Sequence, residues 1–217
     1  MRNARRLVPS IVVAASAMAF ATGIASSSAN ATIIDEWASV KPEPAPELKA
    51  VTIDPKTTAL LVLDIVKGSC NNERRPRCVA SVPAIAKLIE NARAKGLTVI
   101  HTVAGQATAA DILPQVAPKQ GEQLITGTNA DKFVRTDLEK ILKDKGITTI
   151  IAVGTAAHGA ILYTSSQAAL RGIKVVVPVD GASSENAYAE QAVVWLLARA
   201  PTISNNVTLT KFDMIKF

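Results

Sequence analysis

The chain is poor in aromatic residues, histidine and cysteine. Phe, Trp and Tyr make up 4% of its 217 residues, and there are two histidines and two cysteines. Without aromatic platforms a nucleic-acid-binding surface is not indicated, although the formal net charge is +6. Half of that charge sits at the N-terminus: removing residues 1–31 takes away three arginines and no acid, leaving +3. No internal repeat is present, which sets aside a repeat architecture.

What is present begins with a targeting pattern. Arg2, Arg5 and Arg6 form a positive head, Val8 to Ile24 is apolar and rich in small residues, and Ala29-Asn30-Ala31 has the small-x-small form of a cleavage site. Residues 1–31 are therefore expected to be a secretory signal peptide cut after Ala31. The protein is expected to be exported, periplasmic or secreted. Arg5-Arg6 leaves twin-arginine export open beside the general route. A membrane anchor is the competing reading, and Pro9 and the many small residues weaken a spanning helix, so no stable membrane insertion is expected after cleavage. The remaining chain of roughly 185 residues suits one domain with one substantial core.

Cys70 and Cys78 are a close pair separated by the polar, turn-like Asn71-Asn72-Glu73-Arg74-Arg75-Pro76-Arg77. In an oxidising compartment such a pair favours a disulfide. The alternative is a free, nucleophilic Cys70. The basic residues between the cysteines make either a solvated loop or an attraction for an anionic substrate.

Residues 32–55, with Lys41-Pro42-Glu43-Pro44-Ala45-Pro46, are expected to be an extended arm, and residues 56–217 the folded domain. Thr58 to Asp64 is a continuous apolar run ending in a carboxylate, as in a strand buried on both faces. A helix is expected from Pro83 to Lys95, a strand from Leu97 to Val103, and a long loop over 104–131 with a short strand at Leu124-Ile125. A helix follows from Leu138 to Lys145, then a strand over Ile147–Val153. After Gly154 a tight turn leads into a helix ending at Arg171. The chain closes with a strand from Lys174 to Gly181, a helix from Asn186 to Ala200 and a strand over Val207–Thr210. Strands alternating with helices at this spacing predict a three-layer α/β/α sandwich with a mostly parallel, Rossmann-like sheet. In such sheets ligands bind at the carboxyl ends of the strands, which directs attention to Asp64 and to the turn after Gly154.

In that frame the chain resembles the isochorismatase-like cysteine hydrolases, which include nicotinamidases and related amidases. The likeness covers about residues 56 to 212. It rests on Leu61-Val62-Leu63-Asp64, on Phe133-Val134-Arg135-Thr136-Asp137-Leu138 as F-x-x-T-x-L, on Gly154 followed ten residues later by Thr164, and on Val177-Pro178-Val179-Asp180-Gly181-Ala182. The resemblance implies a hydrolase in which an Asp takes the proton of a nucleophilic Cys and a Lys stabilises charge. The Asp carries over to Asp64. The Cys position falls on Ala160, a Thr of the family on Ala157, and the Lys position on Gly127, with Lys132 next to Phe133 but five residues out of register. Some relatives cleave a vinyl ether with the acid and no cysteine, protonating an alkene carbon while water completes the hydrolysis.

Three readings follow. In the first, the protein is an exported hydrolase with a cysteine-free site, where Asp64 is the general acid or base on a small molecule, assisted by His158 and Lys132. Ala157, Gly159, Ala160 and Thr164 are then the expected substrate-binding positions. In the second, it binds a small molecule without catalysis. In the third, Cys70 replaces the missing nucleophile. His101 is expected to be a near-core histidine, and Tyr163 a packing residue. Relatives that bind a metal use an Asp and two His on the loop after the second strand; this loop holds Asp111 and no His, so neither metal nor cofactor is expected. The resemblance also implies possible self-association through helix faces.

Overall fold

The structure, a computed structural model, describes residues 31–217. The expected signal peptide therefore lies outside the described residues, except for Ala31. The chain divides into two compact units, Met1–Pro42 and Glu43–Phe217. In the first unit the described residues hold one short helix, α1 (Ile33–Glu36). Its N-terminus is closed by Thr32, whose backbone N–H and hydroxyl both donate to Asp35 Oδ2 at 2.8 Å. No helix among the described residues is long and apolar enough to cross a membrane.

The second unit runs β1 (Val51–Thr52), β2 (Thr58–Leu63), α2 (Pro76–Ala94), β3 (Thr98–Ala104), β4 (Gln123–Thr128), α3 (Leu138–Asp144), β5 (Thr149–Thr155), α4 (Leu162–Leu170), β6 (Lys174–Pro178), β7 (Ala182–Ser183), α5 (Ala187–Arg199), β8 (Val207–Thr210) and β9 (Ile215–Lys216). The main sheet has the order β4-β3-β2-β5-β6-β8, with β7 added beside the end of β5. Every strand pairing in it is parallel. Successive side chains of β2 go to opposite faces, as the pleat requires. Ala59, Leu61 and Leu63 join the core formed with α3, α4 and α5. Leu60 and Val62 join the core formed with α2. This is the three-layer sandwich expected, and each large aliphatic side chain so buried contributes about 1.5–3 kcal/mol.

Two boundaries differ from the sequence expectation. The first domain helix begins at Pro76, not near Pro83, which lies inside it. Pro76 at the first helical position loses no hydrogen bond, because the first N–H groups of a helix have no partner there. The stretch between residues 43 and 55, within the expected extended arm, packs on the domain. Lys49 N–H donates to Leu209 O at 2.9 Å, β1 pairs with β9, and Ile53 is buried. Parallel pairing with the far C-terminus cannot be read from a two-residue strand's own sequence.

The order of the sheet positions the site. From β2 the chain crosses to β3 on one side, and later returns to β5 on the other. The carboxyl ends of β2 and β5 thus flank the point where the winding reverses, where crevices form in open α/β sheets. Gly154 makes that approach possible: its φ is +131°, and a Cβ there would lie 2.1 Å from Leu63 O.

Candidate active site

Asp64 follows the last residue of β2. Its φ of 54° lies in the left-handed region, which Asp tolerates better than most residues, and its N–H donates to Thr102 O at 3.2 Å. The carboxylate is held at both oxygens. Oδ1 accepts from Thr102 Oγ1 at 2.8 Å, and Oδ2 accepts from Lys132 Nζ at 2.5 Å. Lys132 is fully buried. Its three ammonium protons have three acceptors: Asp64, Thr128 Oγ1 at 2.8 Å and Asn129 O at 2.6 Å. Burial pushes the Lys132 ammonium below the usual lysine range, against the opposing charge and hydrogen bond of Asp64.

Asp64 borders a cavity of about 470 Å³, with Lys132 buried behind it; the lining includes Asp64, Ser69, Arg74, Arg75, Thr155, Gly159 and five alanines, Ala160 among them. The peptide Thr155–Ala156 is cis. The chain then makes one widened, π-type turn over Ala157–Ile161 before α4. Gly159 and Ala160 reach the cavity wall, whereas Ala157 packs into the core. Thr164 is fully buried and does not line the cavity. Its hydroxyl accepts from Lys132 N–H at 3.2 Å and donates to Ala130 O at 3.3 Å, so it fixes the backbone that carries Lys132.

His158 is half exposed and is not among the residues lining the cavity. Its Nδ1 lies 2.6 Å from Ser184 Oγ, and Ser184 Oγ donates to Glu185 Oε2 at 2.8 Å. Glu185 Oε1 in turn accepts from Arg75 Nε and Nη2 at 2.8 and 2.6 Å. Burial works against the Glu185 charge, but the Arg75 hydrogen bonds, its own backbone, Ser184 and the Arg75 charge bring it down to about 2. The structure thus joins Asp64 to Lys132 and leaves His158 on a separate polar chain. Ser184 is fully buried, so the Ser–His–Glu grouping offers no accessible nucleophile.

Cys70 and Cys78 are bonded, with S–S 2.02 Å and Cα–Cα 5.3 Å. As these are the chain's two cysteines, no free thiol remains, and Cys70 as the replacement nucleophile is set aside. Closing so short a loop stabilises the fold by about 2–3 kcal/mol on the chain-entropy view. Among the described residues no group of three or more His, Cys, Asp or Glu is placed to hold a metal ion.

An apolar strand ending in a buried Asp, that Asp held by a buried Lys and facing a cavity at the winding reversal, form one arrangement, and the sequence match agrees with it. Residues 58–207 match the isochorismatase domain. The chain belongs to the isochorismatase domain family. Within this family it is 36% identical over 111 residues to a secreted isochorismatase effector of Verticillium dahliae, covering 46% of this chain and 58% of that one. It is 30% identical over 133 residues to the streptothricin hydrolase of Streptomyces noursei, covering 56% and 52%. The chain thus spans about half the length of these curated relatives. An isochorismatase family protein of Desulfovibrio vulgaris superposes with a TM-score of 0.66 at 20% identity, over 73% of this chain and 95% of that one, and this shows the shared fold.

Sequence reasoning gave Lys132 as a candidate out of register but missed its supports. Thr102 and Thr128 lie within or at the ends of strands, where a threonine looks like any β-former. Glu185, 110 residues from Arg75, has no local signal at all.

Proposed function

We propose that this isochorismatase family member hydrolyses a small molecule with water as nucleophile and Asp64 as general acid or base, and that it does so outside the cytoplasm. The observation that carries this reading is the 2.5 Å contact between Lys132 Nζ and Asp64 Oδ2 at the cavity. Burial makes the Lys132 ammonium a readier proton donor than a solvated one. The contact gives a proton a path between the two groups. With the proton on Asp64, the carboxylic acid can protonate an alkene carbon or a leaving oxygen. With the proton on Lys132, the carboxylate can take one from an attacking water. Thr102 holds Oδ1 in place throughout. Ala160 and Gly159 form part of the wall against which the substrate would lie.

Export is supported by the N-terminal pattern, by a disulfide suited to an oxidising compartment, and by the secreted relative from Verticillium dahliae. A second reading, a binding protein without turnover, is favoured by one feature: His158 is engaged with Ser184 rather than with Asp64.

The test is turnover of a panel of amides, esters and vinyl ethers by the wild type and by Asp64→Asn, which keeps the shape and removes the acid. The proposal expects activity on at least one class that falls by about 100-fold or more in Asp64→Asn. Absence of any Asp64-dependent turnover, with compounds still raising the melting temperature, would establish the binding reading instead.

A further inference from the structure

The loop closed by Cys70–Cys78 carries three arginines: Arg77 is paired with Glu190, and the other two, Arg74 and Arg75, line the cavity with Asp64. Their situations are opposite. Arg75 is buried and its charge is met by Glu185 at 2.6 Å, with a further Nη1 contact to Ser69 O at 3.5 Å. Arg74 is exposed, and its guanidinium has no partner among the described residues. Its backbone is nevertheless fixed. Arg74 N–H donates to Asn71 Oδ1 at 2.8 Å, and Asn71 Nδ2 donates to Lys67 O at 2.9 Å. Both cysteines are buried in the core beside α2, so the loop is pinned at its two ends as well as from within.

The charge balance of the cavity follows. Asp64 is offset by Lys132 and Arg75 by Glu185. Among the described residues that line it, the one charge left uncompensated is Arg74. The rest of the wall is mostly small: five alanines, two glycines and Val66, with Ser69 and Thr155. A planar guanidinium with free donors matches a carboxylate bidentately, and a single surplus positive charge suits a monoanion.

We propose that the cavity takes a small compound with an apolar body and one carboxylate, the carboxylate on Arg74 and the reactive bond toward Asp64. The disulfide-closed loop is then the element that sets this charge preference. The inference rests on the reading above that this cavity is the working site.

The experiment compares benzoate with benzamide, two probes of one shape that differ in charge, by calorimetric titration of the full oxidised chain. Benzoate is expected to bind about tenfold more tightly, with the advantage shrinking as salt rises because Arg74 is exposed. In Arg74→Gln the two affinities should converge through loss of benzoate binding, with benzamide unchanged; Arg74→Lys should retain part of the preference. In Cys70→Ser/Cys78→Ser the preference should also fall while benzamide binding reports that the cavity persists. Equal affinities in the wild type, no benzoate binding, or a preference that survives Arg74→Gln overturns the proposal; a preference unchanged in the double serine variant overturns the role of the loop. Asp64→Asn separates the two readings. A benzoate preference dependent on Arg74 but without any turnover means that the hydrolytic reading fails alone. Asp64-dependent turnover indifferent to substrate charge means that this inference fails alone.

Discussion

Two ionic networks, one buried and one partly buried, stand on the same sheet and are built alike. In one, Lys132 meets Asp64 at 2.5 Å, and threonine hydroxyls and a carbonyl complete the shell. In the other, Arg93 of α2 meets Glu122 through two hydrogen bonds of 2.7 and 2.8 Å, and Glu122 also lies 3.1 Å from Nε2 of His101 on β3. Since the carboxylate accepts, His101 carries its proton on Nε2, and its buried Nδ1 is left without a partner. Both draw charge out of solvent, and each shifts proton affinity: that of Lys132 in the first, those of His101 and Glu122 in the second. Only the first borders the cavity; Arg93, His101 and Glu122 are absent from its lining. Burial and pairing alone therefore do not mark a reactive site in this fold. What sets the proposed site apart is its position at the carboxyl end of the strands beside the winding reversal, where crevices form in open α/β sheets.

The largest effect is expected where the comparison is cut on the cavity side. Lys132→Met removes the ammonium shared by three acceptors and leaves the Asp64 carboxylate buried without its counter-charge. A loss of about 3–5 kcal/mol in urea unfolding is expected, together with loss of Asp64-dependent turnover in whatever protein remains folded. A loss below about 1 kcal/mol would mean that the carboxylate does not depend on the ammonium for its burial.

On the other side, Glu122→Gln is expected to cost about 1–3 kcal/mol while turnover per folded molecule stays unchanged. This variant also has an acid signature. Burial opposes the Glu122 charge, but the Arg93 and Lys119 hydrogen bonds and the charges of Arg93 and His101 outweigh it and bring the carboxyl down to about 2. A depressed carboxylate stabilises the fold fully above its ordinary value near 4.5, and that contribution disappears as pH falls toward 2. His101 is depressed chiefly by burial, so its contribution is present above about 6.5 and erodes below that. The melting temperature should thus fall as pH drops below about 6.5, and steepen between about 4.5 and 2. Glu122→Gln should flatten the lower part. Some slope remains there because Glu185, also drawn to about 2, shares the window.

The contrast also explains what could be foreseen. The parallel sheet was legible because β2 and β5 are buried on both faces, and such strands are apolar at nearly every position between their end threonines. Asp64 was legible as a lone acid ending such a run. The partnership with Lys132 was not, since it spans 68 residues and the segment carrying the lysine takes its course from Thr164 and Thr136, whose hydroxyl donates to Lys132 O at 2.5 Å. His158 was placed near Asp64 on the assumption of an ordinary turn into the helix. The widened turn over Ala157–Ile161 and the nearby Ser184 direct its side chain elsewhere. The helix start at Pro76 was hidden by the cysteine loop that runs into it.

The smallest structural change asks the sharpest question. Ala160 lies on the cavity wall with Asp64, at the position where the resemblance places a nucleophilic thiol. Ala160→Cys adds one sulfur toward an existing cavity, so a stability change below about 1 kcal/mol is expected. The wild type should show no iodoacetamide-reactive thiol under native conditions, because its two cysteines are bonded to each other. The variant should show one. If Asp64 and Lys132 still form an acid–base pair able to serve a nucleophile, the new thiol should bring amide turnover that Asp64→Asn removes. A thiol that is labelled but gives no turnover would leave a pair that moves protons only to and from water. A thiol that is not labelled would mean that the wall at residue 160 is closed to solvent, and the cavity would lose its claim as the approach to Asp64 at the end of β2.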